Sequence, residues 1–186
     1  SEHVESFQDT LRLTLVSGVG PRTRKTLLER FGSASAVLQA APSALRSVPG
    51  IGPKLTQAIC RAQREIDVEA LLQVCREHAI GILTESDAAY PRLLREIHDP
   101  PGVLFLRGTL QPQDGLAIAM VGTRHATQYG LRQADRLAQG LARAGLTVTS
   151  GLARGIDAAA HRGALTAGGR TIAVLAGGLL NLYPPE

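Results

Sequence analysis

The chain has 186 residues, 44% of them apolar, and a formal net charge of +4. That is enough for one large or two small globular domains, and no apolar run is long enough to span a membrane. The opening Ser1-Glu2-His3-Val4-Glu5 has neither a basic region nor an apolar core, so a secretory signal is not expected and the cytoplasm is the default location. Cys60 and Cys75 lack C-x-x-C spacing and a nearby histidine pair. They read as reduced, half-buried thiols, and no metal or other cofactor is expected.

The first third carries an internal repeat. Val16, Gly18, Val19, Gly20, Pro21, Arg22 and Leu27 match Val48, Gly50, Ile51, Gly52, Pro53, Lys54 and Ile59 at one constant offset. In each copy the glycines permit a tight hairpin, the apolar residue between them is buried, and the proline suits the first turn of the next helix. The pattern resembles a tandem helix-hairpin-helix, or SAM-like, module over residues 1–66. Hairpins of this kind hold DNA phosphates through exposed amides at Gly18, Gly20, Gly50 and Gly52, with charge from Arg22, Arg24, Lys25 and Lys54. The same repeat also fits a compact five-helix packing unit or a protein-docking surface.

An amphipathic helix over 66–78 leads into short apolar runs at 80–83, 103–106, 116–121, 146–149 and 171–175, which read as strands. The last three are nearly continuous in apolar residues, as expected of parallel strands covered on both faces. Between them, 129–144 places Leu131, Ala134, Leu137, Ala138 and Leu141 on one stripe, and 156–166 forms a second crossover helix. Strand, helix, strand, helix, strand predicts an α/β, doubly wound, Rossmann-like parallel sheet over 67–186.

Its turns decide the ligand. Gly122-Thr123-Arg124 follows the first of these three strands and Ser150-Gly151-Leu152-Ala153-Arg154-Gly155-Ile156-Asp157 the second. Small residues and arginines at strand-to-helix turns point to phosphate held by backbone amides. A dinucleotide site would need G-x-G-x-x-G after the first strand and an acid after the second, and neither is present. Ser150 instead offers a hydroxyl, and Gly177-Gly178 supplies a third open turn. From Leu116 to Arg170 the acids are Asp135 and Asp157, against Arg124, Arg132, Arg136, Arg143, Arg154, Arg162 and Arg170. A basic face of this kind attracts polyanions, although a solubilising helix surface gives the same count.

Four motifs in order carry a specific resemblance: Tyr90-Pro91 through Asp99-Pro100-Pro101 to Arg107-Gly108, then Val121-Gly122-Thr123-Arg124, then Ser150 to Asp157 with His161, then Gly177-Gly178-Leu179 with Tyr183-Pro184. They resemble the DprA (Smf) family of DNA-processing proteins of natural transformation, over about residues 79–186. The resemblance implies a non-enzymatic protein with an extended Rossmann domain that binds single-stranded DNA, protects it, forms a homodimer through that domain and loads RecA. Carried over by position, Gly122, Thr123, Arg124, Ser150 and Gly151 line the DNA pocket with Arg124 as phosphate anchor, supported by Arg154, Gly177 and Gly178. Asp157 and His161 read as a local pair that caps and orients their helix. The family continues past the Tyr-Pro motif into further strands, so the sheet is expected to be C-terminally truncated at Glu186, with an unpaired edge.

Few aromatics are available for base stacking: Phe7, Phe31 and Phe105 fall in apolar patterns that suggest core, and only Tyr129 and Tyr183 sit near the pocket turns. Amides and arginines should therefore carry the binding. Two other readings stand beside this one. One is a duplex-binding repair scaffold acting through the hairpins. The other is an enzyme similar to nucleoside-monophosphate phosphoribohydrolases, for which Asp157 is the one available carboxylate because no acid follows Gly177-Gly178.

Overall fold

The computed structural model describes residues 7–181, which form two compact units dividing at Gly108 and Thr109. The boundary that the periodicity places at 66/67 falls within the first unit. Helix α6 (Val68–Glu77) and an antiparallel hairpin of β1 (Ile80–Thr84) and β2 (Val103–Arg107) belong to the same unit as the preceding helices. Leu11, Val68 and Val103 share one small core there, with Ile66, Leu72 and Ile82 packed against it.

The repeat folds as two hairpins with matching backbone conformations. α1 (Phe7–Leu15) leads through the first into α2 (Pro21–Phe31). After α3 (Ala34–Gln39), α4 (Pro42–Arg46) leads through the second into α5 (Pro53–Glu65). Gly18 and Gly50 take φ of +92° and +84°, a left-handed backbone that suits glycine. Val19 and Ile51 donate their amides to Val16 and Val48 and bury their side chains, and Pro21 and Pro53 open the helices. Leu13, Leu27, Val37, Leu45 and Ile59 are almost wholly inaccessible and form the main core. Tyr90 is also buried, donating its hydroxyl to Pro101 O at 2.7 Å beneath the Arg95 guanidinium. The Tyr-Pro to Asp-Pro-Pro motif therefore serves as a fold-forming clasp. Cys75 is buried, which pushes its thiol pKa up, and Cys60 is partly exposed; both are free.

The second unit is a parallel sheet in the order β3 (Ala117–Ala119), β4 (Thr147–Ser150), β5 (Thr171–Ala173). Ile118 pairs with Val148, and Val148 with Thr171. Helices α8 (Gln128–Arg143) and α9 (Ile156–Thr166) make the crossovers; the short α7 (Arg92–Arg95) lies in the first unit. Both crossovers step the same way along the sheet, so right-handed connection puts both helices on one face, packed against each other. Their seam is built from Ala138, Ala142, Ala160 and Ala164 over Val148. Approach is so close at Gly163 that a Cβ would lie 2.4 Å from the Asp135 carbonyl.

Three expectations are corrected by this packing. The central strand β4 is buried on both faces, but β3 is exposed along its length, and Val121 and Val174, just beyond β3 and β5, stand 75% and 64% exposed. Leu137 is exposed, because the buried stripe of α8 consists of alanines small enough for the tight seam. Phe7 and Phe105 are exposed rather than core, and Phe31 is partly buried.

Candidate functional site

The carboxyl edge of the sheet is built by three loops. β3 ends in Gly122-Thr123-Arg124, β4 in the loop 151–155, and β5 in 174–181. They surround a cleft of about 570 Å³ lined by Arg124, His125, Gly151, Ala153, Arg154, Leu175, Ala176, Gly177, Gly178 and Asn181. Five predicted residues, Arg124, Gly151, Arg154, Gly177 and Gly178, thus come together at one place. His125 and Asn181 also line it and were not singled out from sequence. Arg124 is exposed and has no hydrogen-bond or ion-pair partner among the described residues.

Gly122, Thr123 and Ser150 do not line the cleft, each for a physical reason. Ser150 is buried, and its hydroxyl donates to Met120 O at 2.6 Å, stitching β4 to β3. The Thr123 hydroxyl accepts from the His125 amide at 3.1 Å and its carbonyl accepts from Ile156 N at 3.2 Å. Gly122 packs against Ile156, where a Cβ would come within 2.6 Å of Cγ1.

Asp157 is the hidden organiser. It is 6% exposed; its Oδ2 accepts from Gly151 N at 3.1 Å and its Oδ1 from Gly122 N at a longer 3.4 Å. The two turn amides expected to hold phosphate are thus taken by the protein's own carboxylate. No hydrogen bond joins Asp157 to His161 among the described residues, so the expected capping pair is corrected. His161 instead turns Nδ1 to Thr171 Oγ1 at 2.6 Å. Thr171 gives its proton to Val148 O at 2.7 Å, so Nδ1 carries the donor hydrogen and Nε2 is left buried without a partner.

Burial lowers the His161 pKa, outweighing the opposite pull of the Asp157 carboxylate. Because the folded pKa lies below the unfolded value, stability is full above about pH 6.5 and declines as pH falls through that value. A urea-midpoint profile from pH 7.5 to 5 should show this decline, and His161→Gln should flatten it.

Several cations counted toward a basic face are already paired. Arg170 grips Asp114 through Nε and Nη2 at 2.9 and 2.8 Å. Arg24 is buried against Glu85 at 3.1 Å, and its guanidinium fills the space over Gly102. Lys25 donates to His98 O. At the hairpins, Gly18, Gly20, Arg22, Gly50, Gly52 and Lys54 are all exposed. The second hairpin borders a shallow depression that Arg46, unremarked in the sequence, also lines. The Tyr129 side chain is exposed but does not line the cleft, and Tyr183-Pro184 lies outside the described residues. Among the described residues no histidine, cysteine and carboxylate cluster could hold a metal, and no helix is long and apolar enough to cross a membrane.

Fold and cleft together define a mixed α/β protein in which a tandem helix-hairpin-helix precedes a Rossmann-like parallel sheet with a glycine-edged, arginine-bearing cleft. Residues 10–65 match the model of the SAM-like helix-hairpin-helix tandem, and residues 81–186 match that of DNA recombination-mediator protein A. The chain belongs to the DNA recombination-mediator protein A family, the DprA/Smf family of DNA-processing proteins. It is 39% identical over 175 residues to protein Smf of Synechocystis, covering 92% of this chain and 44% of that protein. The chain thus spans less than half the length of that relative. DNA processing protein A from Streptococcus pneumoniae has the same fold, with TM-score 0.75 and 29% identity over 97% of this chain and 62% of that one. DNA processing protein A from Helicobacter pylori, whose structure concerns its single-stranded DNA binding mode, matches with TM-score 0.50 and 31% identity over 57% of this chain and 46% of that one.

Proposed function

We propose that this protein binds single-stranded DNA in the cleft at the carboxyl edge of its sheet and acts as a non-enzymatic recombination mediator. In this role it protects incoming strands in the cytoplasm, loads RecA and works as a homodimer through the Rossmann-like domain. The functional division is hairpin module 1–66 and DNA-binding domain 67–186. The observation that carries the reading is the pairing of an unpartnered, exposed Arg124 with Gly177-Gly178 across one cleft. A Cβ at either glycine would meet nothing within 4 Å, so a sugar-phosphate backbone has room to approach. Family membership and the single-stranded DNA mode described for the Helicobacter pylori protein support the ligand class.

In this arrangement Arg124 is the phosphate anchor, Arg154, Gly151, Gly177 and Gly178 shape the channel, and Gly122, Thr123 and Ser150 hold the turns in place. The hairpin residues Gly50, Gly52, Lys54 and Arg46 offer an accessory, sequence-independent phosphate contact, with Gly18, Gly20 and Arg22 the equivalent set at the first hairpin. That surface also supports a second reading, duplex binding through the hairpins. Fluorescence anisotropy with single-stranded and duplex oligonucleotides across a salt series separates them. Arg124→Ala should weaken single-strand binding by about 1–3 kcal/mol and reduce the salt slope by about one charge. Undiminished binding by this variant removes the cleft assignment. Duplex preference with a larger loss for Lys54→Ala supports the hairpin reading instead.

A further inference from the structure

Rossmann-like domains offer anions a place where strand-to-helix amides and the first turn of the following helix converge. Here that place already has an occupant. The Gly122 and Gly151 amides, from two different strands, point at the two oxygens of the Asp157 carboxylate. The first turn of α9 is similarly engaged, since Ile156 N donates to Thr123 O at 3.2 Å and Ala158 N to Ala153 O at 3.1 Å. There is no spare room either. A Cβ on Gly151 would stand 2.8 Å from Asp157 Oδ2, and one on Gly122 would run into Ile156.

We infer that Asp157 is a specificity-determining residue: an internal anion that fills the phosphate position of the two turns and excludes nucleotide and inorganic phosphate from it. Any ligand phosphate is confined to the outer cleft, where Arg124 and the open Gly177-Gly178 turn lie. A bound phosphate at the inner position would need the same two amides and would face a buried carboxylate of like charge. An extended polyanion crossing the mouth of the cleft meets neither obstacle. Asp157 touches no ligand in this arrangement and acts by occupying the cradle and bracing Gly122 to Gly151.

Replacing the carboxylate by a small side chain should open the cradle to an external anion. Thermal melts of the full chain compare wild type, Asp157→Ala and the isosteric Asp157→Asn in chloride, formate and inorganic phosphate at matched ionic strength. Asp157→Ala is expected to melt lower in chloride and to recover a large part of the loss, saturably, in formate or phosphate. Wild type and Asp157→Asn should show only the small general salt effect. Equal anion responses in all three proteins overturn the inference. Wild-type protein gives an independent check that does not depend on a variant folding. Its Gly122 amide resonance, which lies outside the cleft lining, should stay fixed during a phosphate or AMP titration even if cleft-lining signals such as Gly151 shift, and saturable movement of Gly122 would show that the cradle is open. Neither measurement involves DNA, so their outcome is separate from that of the Arg124→Ala binding test.

Discussion

Gly155→Ala is expected to destabilise the second unit by about 3–5 kcal/mol and to abolish ordered geometry at the cleft. Gly155 sits at φ +84° and ψ −127°, a region open essentially to glycine, and serves as the N-cap of α9. An added Cβ would lie 2.2 Å from Thr123 O and 2.8 Å from Arg124 O, both backbone atoms that cannot rotate away. Thr123 O is the acceptor for the first amide of α9, so relieving the clash separates the β3 turn from the helix. Asp157, two residues further on, then loses its alignment with Gly122 and Gly151. For a domain of ordinary stability this is a large fraction of the total. Urea unfolding should show the lower midpoint, and amide exchange should be fastest in 122–124 and 151–157. Gly177→Ala is the matched control, because its Cβ enters open space. It should change stability by less than about 0.5 kcal/mol while reducing single-strand binding if a backbone passes over it. A Gly155→Ala protein as stable as wild type would remove the packing account of this turn.

The contrast between these glycines shows what the chain could and could not disclose beforehand. The hairpins were legible because each copy needs the same residues for local reasons: a left-handed glycine, a buried Val19 or Ile51, and a proline to start the helix. The parallel sheet and its crossover helices were legible from apolar runs of strand length alternating with helical periodicity. The cleft between three loops was legible in outline, since strand-to-helix turns gather at one edge of such a sheet. What was hidden is tertiary. Gly122 and Gly151 read as phosphate-binding glycines, but they are small because Ile156 and Asp157 press against them. Ser150 reads as a ligand hydroxyl, but its partner Met120 O lies just past the end of the neighbouring strand. The charge count from Leu116 to Arg170 overstates the free basic face. Asp114, which neutralises Arg170, lies just before that window; the charge at the hairpins is overstated in the same way, because Arg24 is held by Glu85, 61 residues away in sequence. Leu137 fails as a core residue because the α8–α9 seam is too narrow for leucine.

Asp114 is the point at which acid should first loosen the second unit. Its carboxylate accepts Nε and Nη2 of Arg170, the Thr147 hydroxyl at 2.8 Å and the Gln111 amide at 2.7 Å. Arg170 also donates to Thr109 O, so the cluster ties the entry to β3 to the starts of β4 and β5. The Arg170 hydrogen bonds, followed by those from Gln111 and Thr147, outweigh burial and bring the Asp114 pKa down to about 2. A carboxyl whose folded pKa is depressed contributes stability above its unfolded value, near 4, and loses it as pH falls toward the folded value. The side chain is only 7% exposed, but Arg170 is 28% exposed, so solvent screening reduces the contribution at neutral pH to about 1–2 kcal/mol. Asp114→Asn should cost somewhat more, about 2 kcal/mol, because its amide hydrogens face the guanidinium and leave Arg170 without an anion. Urea midpoints at pH 7, 3 and 2 should show the gap between wild type and Asp114→Asn falling to about half at pH 3 and becoming small at pH 2. A gap that stays constant over this range would show that the clasp acts through shape rather than charge. Binding of single-stranded DNA at neutral pH should survive the substitution, since neither Asp114 nor Arg170 lines the cleft.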